Sequence, residues 1–440
     1  MITDTYTDDI FWASKSDEKI ERRKCEIGEV WDITDVGEMK YFLEMQVQQD
    51  LQSRTIQLTQ CHYWEHVLAR FHLDNVTPWN TPLPVGIILD NNMSPKTNSE
   101  KKEMVSKPYR SILGLVMWGQ LVTHLDLSFS VSLLAHFQAN PGIEHWKALV
   151  YVVGYIKNAI DYDLTYSQDF DIPPTAFVNM DYRGCKDTCQ STSGYIFTLA
   201  RGAVAWSSKW QATVVLSTVE AEYVAMSWCA QQMLWMHSWL DEVKIEYSLP
   251  RIIRGDNHGA IMLLKNTKDH GKVKHINIWH HYIQELIHSS AIILDQVSSA
   301  NNLADLFIKP LPWDHQQHLL TALNINWTQS LCMGECWSIP RASSKMVPTI
   351  IVKLVSIAFS FYFIFICSSP LSLFSTYSTH YVWITLSHYH CTQLRVSSPI
   401  PLFYILLCLL PVVVDSTYYR FVSLHAITTV PDWDLFYLLY

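Results

Sequence analysis

Charge is scarce in this 440-residue chain. Only 17% of its residues are Asp, Glu, Lys or Arg, and the net charge of −9 leaves no global basic footprint. Binding of nucleic acid through overall charge is therefore excluded, and such a partner requires a local basic face or metal ions. Regular cysteine spacing is missing too. Ten cysteines are scattered along the chain. Cys185/Cys189 and Cys332/Cys336 lack the histidines or second cysteine pair of a zinc finger, so they read as ordinary thiols. The opening MITDTYTDDIFW carries acidic residues where a secretory leader carries basic ones, so no signal peptide is expected.

Apolar runs are confined to one end. Residues 1–345 mix charged, polar and apolar side chains, with room for two or three domains. Beyond them come PTIIVKLVSIAFSFYFIFI (Pro348 to Ile366) and PLFYILLCLLPVVV (Pro401 to Val414). The first is nearly long enough to span a bilayer but is interrupted by Lys353; the second is too short and contains Pro411. A membrane anchor through residues 348–414 is one reading. The expectation is the other: residues 331–440 form an apolar, unstructured or non-native extension without helical or strand periodicity.

Periodicity organises the rest. DTYTDDIFWAS is β-rich on both sides of Asp8 and Asp9, which suggests a tight hairpin. WDITDVGEMKYFLEMQVQQD alternates as strands around a Gly37 turn, and Thr55–Gln60 reads as another strand. In CHYWEHVLARFHL, Trp64, Leu68 and Phe71 share a helical face. Residues 74–108, rich in Pro, Asn, Thr and Lys, read as a linker. From Tyr109 to Tyr166 the pattern is helical, broken at Asn140–Gly142. AFVNMDYRG, GYIFTLA and AVAWSSK then predict a three-stranded meander. A long helix from about Ser217 to Val243 follows, then a strand ending at Asp256, two helices, the strand AIILDQV and a last helical turn at NNLADLFIKPL. The fold class is α/β (α+β mixed), a mixed five-stranded sheet with flanking helices.

Within VVLSTVEAEYVAM, Glu220 and Glu222 point about 200° apart on a helix, so one faces solvent and the other whatever the helix packs on. A carboxylate on a packing face needs a donor, a cation or a metal. Glu222 has company. Asp181 ends the first meander strand, Asp256 sits at the tip of the fourth strand and Asp305 lies just past the fifth. Strand tips and the start of the crossing helix converge at one edge of such a sheet. Carboxylates gathered there repel unless divalent cations neutralise them, as oxygen-ligated Mg²⁺ or Mn²⁺ does in phosphodiester chemistry. Singly, Asp256 and Asp305 are equally readable as helix caps.

Taken in order, TYTDD, VGEMKYFLEMQV, YRSILGLVMW, QSTSGYIFTLARGAVAWSSKWQATVVLSTVEAEYVAM, GDNHGAI, VKHINIWHHYIQELI and NLADLFIKPLP resemble the pol polyprotein of copia-type retrotransposons over roughly residues 5–325. The resemblance implies a fragment: a truncated reverse-transcriptase palm and thumb remnant over 1–108, a helical connection region over 109–170, and an RNase H-like domain over 171–330. Asp8 and Asp9 match the polymerase's metal-binding hairpin. Its further palm aspartate and its fingers would lie upstream of Met1, so no polymerase activity is expected. For the RNase H part it implies two Mg²⁺ (or Mn²⁺) ions held by Asp181, Glu222, Asp256 and Asp305, flanking the scissile phosphate of an RNA–DNA hybrid. Single-stranded nucleic acid is a further implied partner, and a cytoplasmic or nuclear retrotransposon particle the implied location. The chain departs from the pattern where the family has Asp-x-Asp in the first strand: here it reads Asn179-Met180-Asp181. Further departures are Asn277, Trp279, Glu44 where Gly is common, and His124-Leu125 where Arg-Pro is usual. His275 reads as a surface-helix histidine, with proton shuttling as the alternative. The competing class is a catalytically dead nucleic-acid-binding or scaffold remnant.

Overall fold

The computed structural model describes residues 2–327 apart from 7, 8, 15, 168–171, 243, 246, 248 and 266–276. These residues form a mixed α/β structure with two five-stranded sheets and a separate hairpin. The hairpin pairs β1 (Ile2–Tyr6) with β2 (Asp9–Ala13), Tyr6 opposite Asp9. Asp8 lies outside the described residues, as do His275 and the 331–440 tail. Among the described residues no helix is long and apolar enough to cross a membrane.

After α1 (Asp17–Gly28), which the alternation did not predict, come β3 (Tyr41–Phe42), β4 (Met45–Asp50), β5 (Thr55–Thr59) and α2 (Cys61–Arg70). The linker contains one short helix, α3 (Asn98–Val105), closed by a Thr97–Glu100 capping box. The helical stretch resolves into α4 (Tyr109–Val122), α5 (Ser128–Ala135) and α6 (Ile143–Asn158). The break at Gly142 is steric, because a Cβ there would lie 1.8 Å from the Met93 carbonyl oxygen. Helices α2 and α4 meet at fully buried Trp64, whose ring occupies the space a side chain at Gly119 would fill.

The helical reading overruns by one element. Residues 162–167 form β6 (Tyr162–Ser167), with Tyr162, Leu164 and Tyr166 all buried. Their alternation of period two was legible, but the neighbouring helical pattern masked it. The first five-stranded sheet is antiparallel throughout, in the order β12-β6-β5-β4-β3, and β12 (Ile325–Trp327) returns from far along the chain to close it.

The second sheet follows the expected order of elements. A meander of β7 (Thr175–Asp181), β8 (Thr192–Leu199) and β9 (Gly202–Trp210) leads into the long helix α7 (Thr218–Glu242). Then come β10 (Ile252–Gly255), α8 (His258–Lys265), α9 (Asn277–His288), β11 (Ile293–Gln296), a 3₁₀ turn at Leu303–Phe307 and α10 (Trp313–Ala322). The order is β11-β10-β7-β8-β9, with β10 parallel to both β7 and β11. Parallel neighbours require crossover connections, which α7 and the α8–α9 segment supply. On α7, Ala225, Met226, Cys229, Ala230, Met233, Met236 and Leu240 form the buried stripe. The two sheets are tied where Ser167 N donates to Ala200 O (3.0 Å) and the Tyr166 hydroxyl donates to Ala203 O (2.6 Å).

One turn of the first sheet has a measurable cost. The β3–β4 hairpin turns at Leu43 and Glu44, both left-handed, with φ of 50° and 63°. Such a two-residue turn favours glycine, because a Cβ at positive φ costs roughly 1–2 kcal/mol. Glu44 recovers part of this by accepting a 2.5 Å hydrogen bond from the Tyr41 hydroxyl. Glu44→Gly is expected to stabilise the protein by about 0.5–1 kcal/mol, read as a higher urea midpoint at unchanged slope; a lower midpoint would show that the Tyr41 bond outweighs the strain.

Candidate functional site

Glu220 and Glu222 part company as their spacing requires. Glu220 serves the start of α7: its backbone N–H donates to Ser217 Oγ (3.2 Å) and its carboxylate accepts from Leu216 N (2.8 Å). Glu222 turns inward and is buried against the sheet. Late in β7 stands Asn179, the chain just past β10 delivers Asp256 toward Glu222, and the Leu303–Phe307 turn delivers Asp305.

The turn carrying Asp305 sits close to β7 for two sequence reasons. Gly194, directly across β8 from Asn179, has no side chain, and a Cβ there would lie 2.6 Å from Phe307 Cβ. Asn302 pins the turn from the other side, donating from Nδ2 to Val178 O (3.1 Å) while its Oδ1 accepts from Ala304 N (3.2 Å). Asp305 is thereby buried to 2% exposure, and Asn179 and Glu222 are buried as well.

Asn179 holds the centre. Its Nδ2 donates to Asp305 Oδ1 (2.5 Å) and to Asp256 Oδ2 (3.4 Å), while its Oδ1 accepts from Met180 N (2.7 Å). The Met180 bond fixes which way the amide faces, since the flipped amide would set oxygen against two carboxylates and two N–H groups against each other. Asp305 Oδ2 is taken by Lys309 Nζ at 2.9 Å. Glu222 Oε1 accepts from Asn257 Nδ2 (3.3 Å), and Asn257 also caps α8 by accepting from Ala260 N (3.0 Å). Burial, followed by the charge of Asp256, pushes the Glu222 carboxyl up to about 7.

Of the residues singled out from sequence, the structure brings together Asn179, Glu222, Asp256 and Asp305. Asp181 is tied to this group through Lys309 rather than through the Asn179 hydrogen bonds. Its carboxylate packs over Gly184 and faces Lys309 and Lys186, with burial raising its pKa and the two lysines opposing that rise. Lys309 and Asn257 were missed. The signal for Lys309 was its place four residues after Asp305, the spacing of a helical ion pair.

Divalent cations require converging, unprotonated oxygen ligands. Among the described residues no three His, Cys, Asp or Glu side chains converge as an ion would need. Both Asp305 oxygens are occupied and the Asn179 nitrogen points at two carboxylates. This donor set does not fit a pair of Mg²⁺ ions.

The homologues of this chain are retrovirus-related Pol polyproteins from transposons. The Pol polyprotein of transposon TNT 1-94 from Nicotiana tabacum is 32% identical over 307 residues, 70% of this chain and 23% of that protein. That of transposon RE2 from Arabidopsis thaliana is 30% identical over 308 residues, 70% of this chain and 20% of that protein. The chain thus spans between a fifth and a quarter of the length of these relatives. A secreted RxLR effector protein 161 from Plasmopara viticola is 36% identical over 133 residues, 30% of this chain and 94% of that protein. No protein-family model matches the chain.

The raised Glu222 carboxyl sets a pH dependence. Its folded-state pKa of about 7 lies above its ordinary 4.5, so the folded state binds the extra proton between those values. The stability this contributes is complete below pH 4.5 and is lost as pH rises through 7. The loss amounts to roughly 3 kcal/mol. Urea melts across that range are expected to show stability falling toward high pH, and Glu222→Gln is expected to flatten the curve; an equally steep curve in the variant would assign the titration to another group.

Proposed function

We propose that the chain is a remnant of a copia-type transposon Pol polyprotein, carrying the end of a reverse-transcriptase palm, a connection region and an RNase H-like domain. Its reaction class is hydrolysis of the RNA strand in an RNA–DNA hybrid, and that activity stands near background. The hybrid is a duplex recognised by shape and 2′-hydroxyls rather than by sequence. One observation carries the reading: Asn179 replaces the first carboxylate of the site and donates hydrogen bonds to Asp256 and Asp305. An amide in that place removes a negative charge and spends the remaining oxygens on its own N–H groups. Asp181 does not substitute for it, because a residue two further along a strand is displaced by about 7 Å on the same face.

DNA synthesis is not part of the proposal. Among the described residues, β1 and β2 form a sheet of their own that no further strand joins.

The test is cleavage of a labelled RNA–DNA hybrid by the whole chain. Near-background cleavage is expected in Mg²⁺, with at most partial rescue by Mn²⁺. Asn179→Asp is expected to raise the rate by at least ~100-fold, the scale of one essential transition-state contact. A parent chain that cleaves at full rate overturns the proposal. A folded Asn179→Asp chain that cleaves no better than the parent favours the second reading, a nucleic-acid-binding or scaffold remnant.

A further inference from the structure

We infer that Asn179 and Lys309 have taken over the work of divalent cations at this sheet edge, so that the carboxylate cluster is neutralised from within and the protein folds without metal. The inference rests on reading the cluster as a former hydrolytic centre and concerns what now holds it together. Buried carboxylates brought close to one another destabilise a fold unless each oxygen finds a donor or a cation. Here the donors can be counted. The Asn179 amide has two N–H bonds, and it meets two acceptors, Asp305 Oδ1 at 2.5 Å and Asp256 Oδ2 at 3.4 Å. Its oxygen is spent on Met180 N, which locks the amide plane. The second Asp305 oxygen meets the Lys309 ammonium at 2.9 Å, and Glu222 meets the Asn257 amide at 3.3 Å.

Lys309 suits this role. Its side chain is 45% exposed while Asp305 is 2% exposed, so the ammonium keeps much of its hydration and still reaches a buried carboxylate. An aspartate at 179 would aim lone pairs at Asp256 and Asp305 in the place where the amide now aims hydrogens. Such a cluster needs a cation to be stable. The same reasoning applies to removal of Lys309: one oxygen of Asp305 loses its positive partner, and a small divalent ion regains a reason to bind. The two positions are therefore positioning residues whose effect is on charge balance, which distinguishes them from residues that merely fill space.

The experiment is the thermal melt of the whole chain in EDTA and in saturating Mg²⁺, with no nucleic acid present. The parent is expected to melt within about 1 °C in both. Asn179→Asp and Lys309→Met are each expected to melt several degrees lower in EDTA and to recover by roughly 5 °C in Mg²⁺, while Lys309→Arg behaves as the parent. A parent stabilised by Mg²⁺ overturns the inference, as do two variants indifferent to Mg²⁺. Should a variant not fold, Mn²⁺ binding to the parent, followed by electron paramagnetic resonance, decides: no tightly held ion supports the inference, and a tightly held ion overturns it. Neither readout involves cleavage, so a parent that binds Mg²⁺ yet leaves hybrid intact refutes this inference alone, whereas a parent that cleaves hybrid refutes the proposed function.

Discussion

Buried negative charge at one sheet edge is the constraint on which this half of the molecule depends. Glu222 and Asp305 are nearly inaccessible, and Asp256 adds its charge to theirs. Each surrounding feature answers that burial. Gly194 makes room for the turn that carries Asp305, Asn302 anchors the turn to β7, Asn257 serves both a helix cap and Glu222, and Lys309 reaches back over one helical turn. Asn179 joins the pieces because a carboxamide supplies hydrogens where a carboxylate would supply only lone pairs. Removing one partner from such a buried polar network costs more than the network contributes as a whole, which keeps its members mutually dependent.

Elsewhere the chain tolerates departures that cost stability without altering its course. Glu44 holds a left-handed turn position that suits glycine, and relieves it with the Tyr41 hydroxyl. His124 is fully buried 3.5 Å from Asp126, where a guanidinium would make paired bonds, and neither of its ring nitrogens has a hydrogen-bond partner. Asp126 is satisfied instead by the Tyr155 hydroxyl, which also accepts from Gln316 Nε2 at 3.0 Å. Substitutions of this kind weaken individual contacts, but the apolar interior around Trp64, Tyr155 and Leu125 remains closed.

The sequence was most legible where one period ran undisturbed. The meander of β7 to β9 and the long α7 were visible because alternating and helical patterns each extend over many residues there. The opposite directions of Glu220 and Glu222 followed from helical geometry alone. Strand β6 was not separated from the helices before it, and β12 was not seen, because three to six residues carry too little periodic signal and their pairing partners lie far away in sequence. Asp181 was expected inside the cluster because alternation puts it on the same face as Asn179. Its carboxylate lies over Gly184 and faces Lys186 and Lys309, so it meets the cluster through the lysine that also pairs with Asp305. Side-chain direction at the end of a strand depends on the turn that follows, and alternation does not encode that.

The segment from Leu303 to Leu311 explains why an impaired site would keep its acidic residues. On one side it packs on β8, where Phe307 and Ile308 fill the space above Gly194. On the other, Leu306, Lys309, Pro310 and Leu311 line a small pocket whose opposite wall is Pro82 and Leu83 from the linker with Asp126 and Phe129 from the helical region. Gln316, just beyond, binds Tyr155 of α6. The segment is thus a wedge between the second sheet and the helices, and Asp305 is its innermost polar group. Replacing that aspartate would take the shorter of its two bonds from the Asn179 amide and its 2.9 Å partner from the Lys309 ammonium, leaving one buried N–H without an acceptor. Packing and charge balance alone therefore favour an aspartate at position 305. Glu222 is under a weaker hold, since among the described residues a single donor, Asn257, reaches it at 3.3 Å and burial already favours its neutral form. Of the two buried acids of the cluster, Glu222 is therefore the one whose loss the structure would feel least.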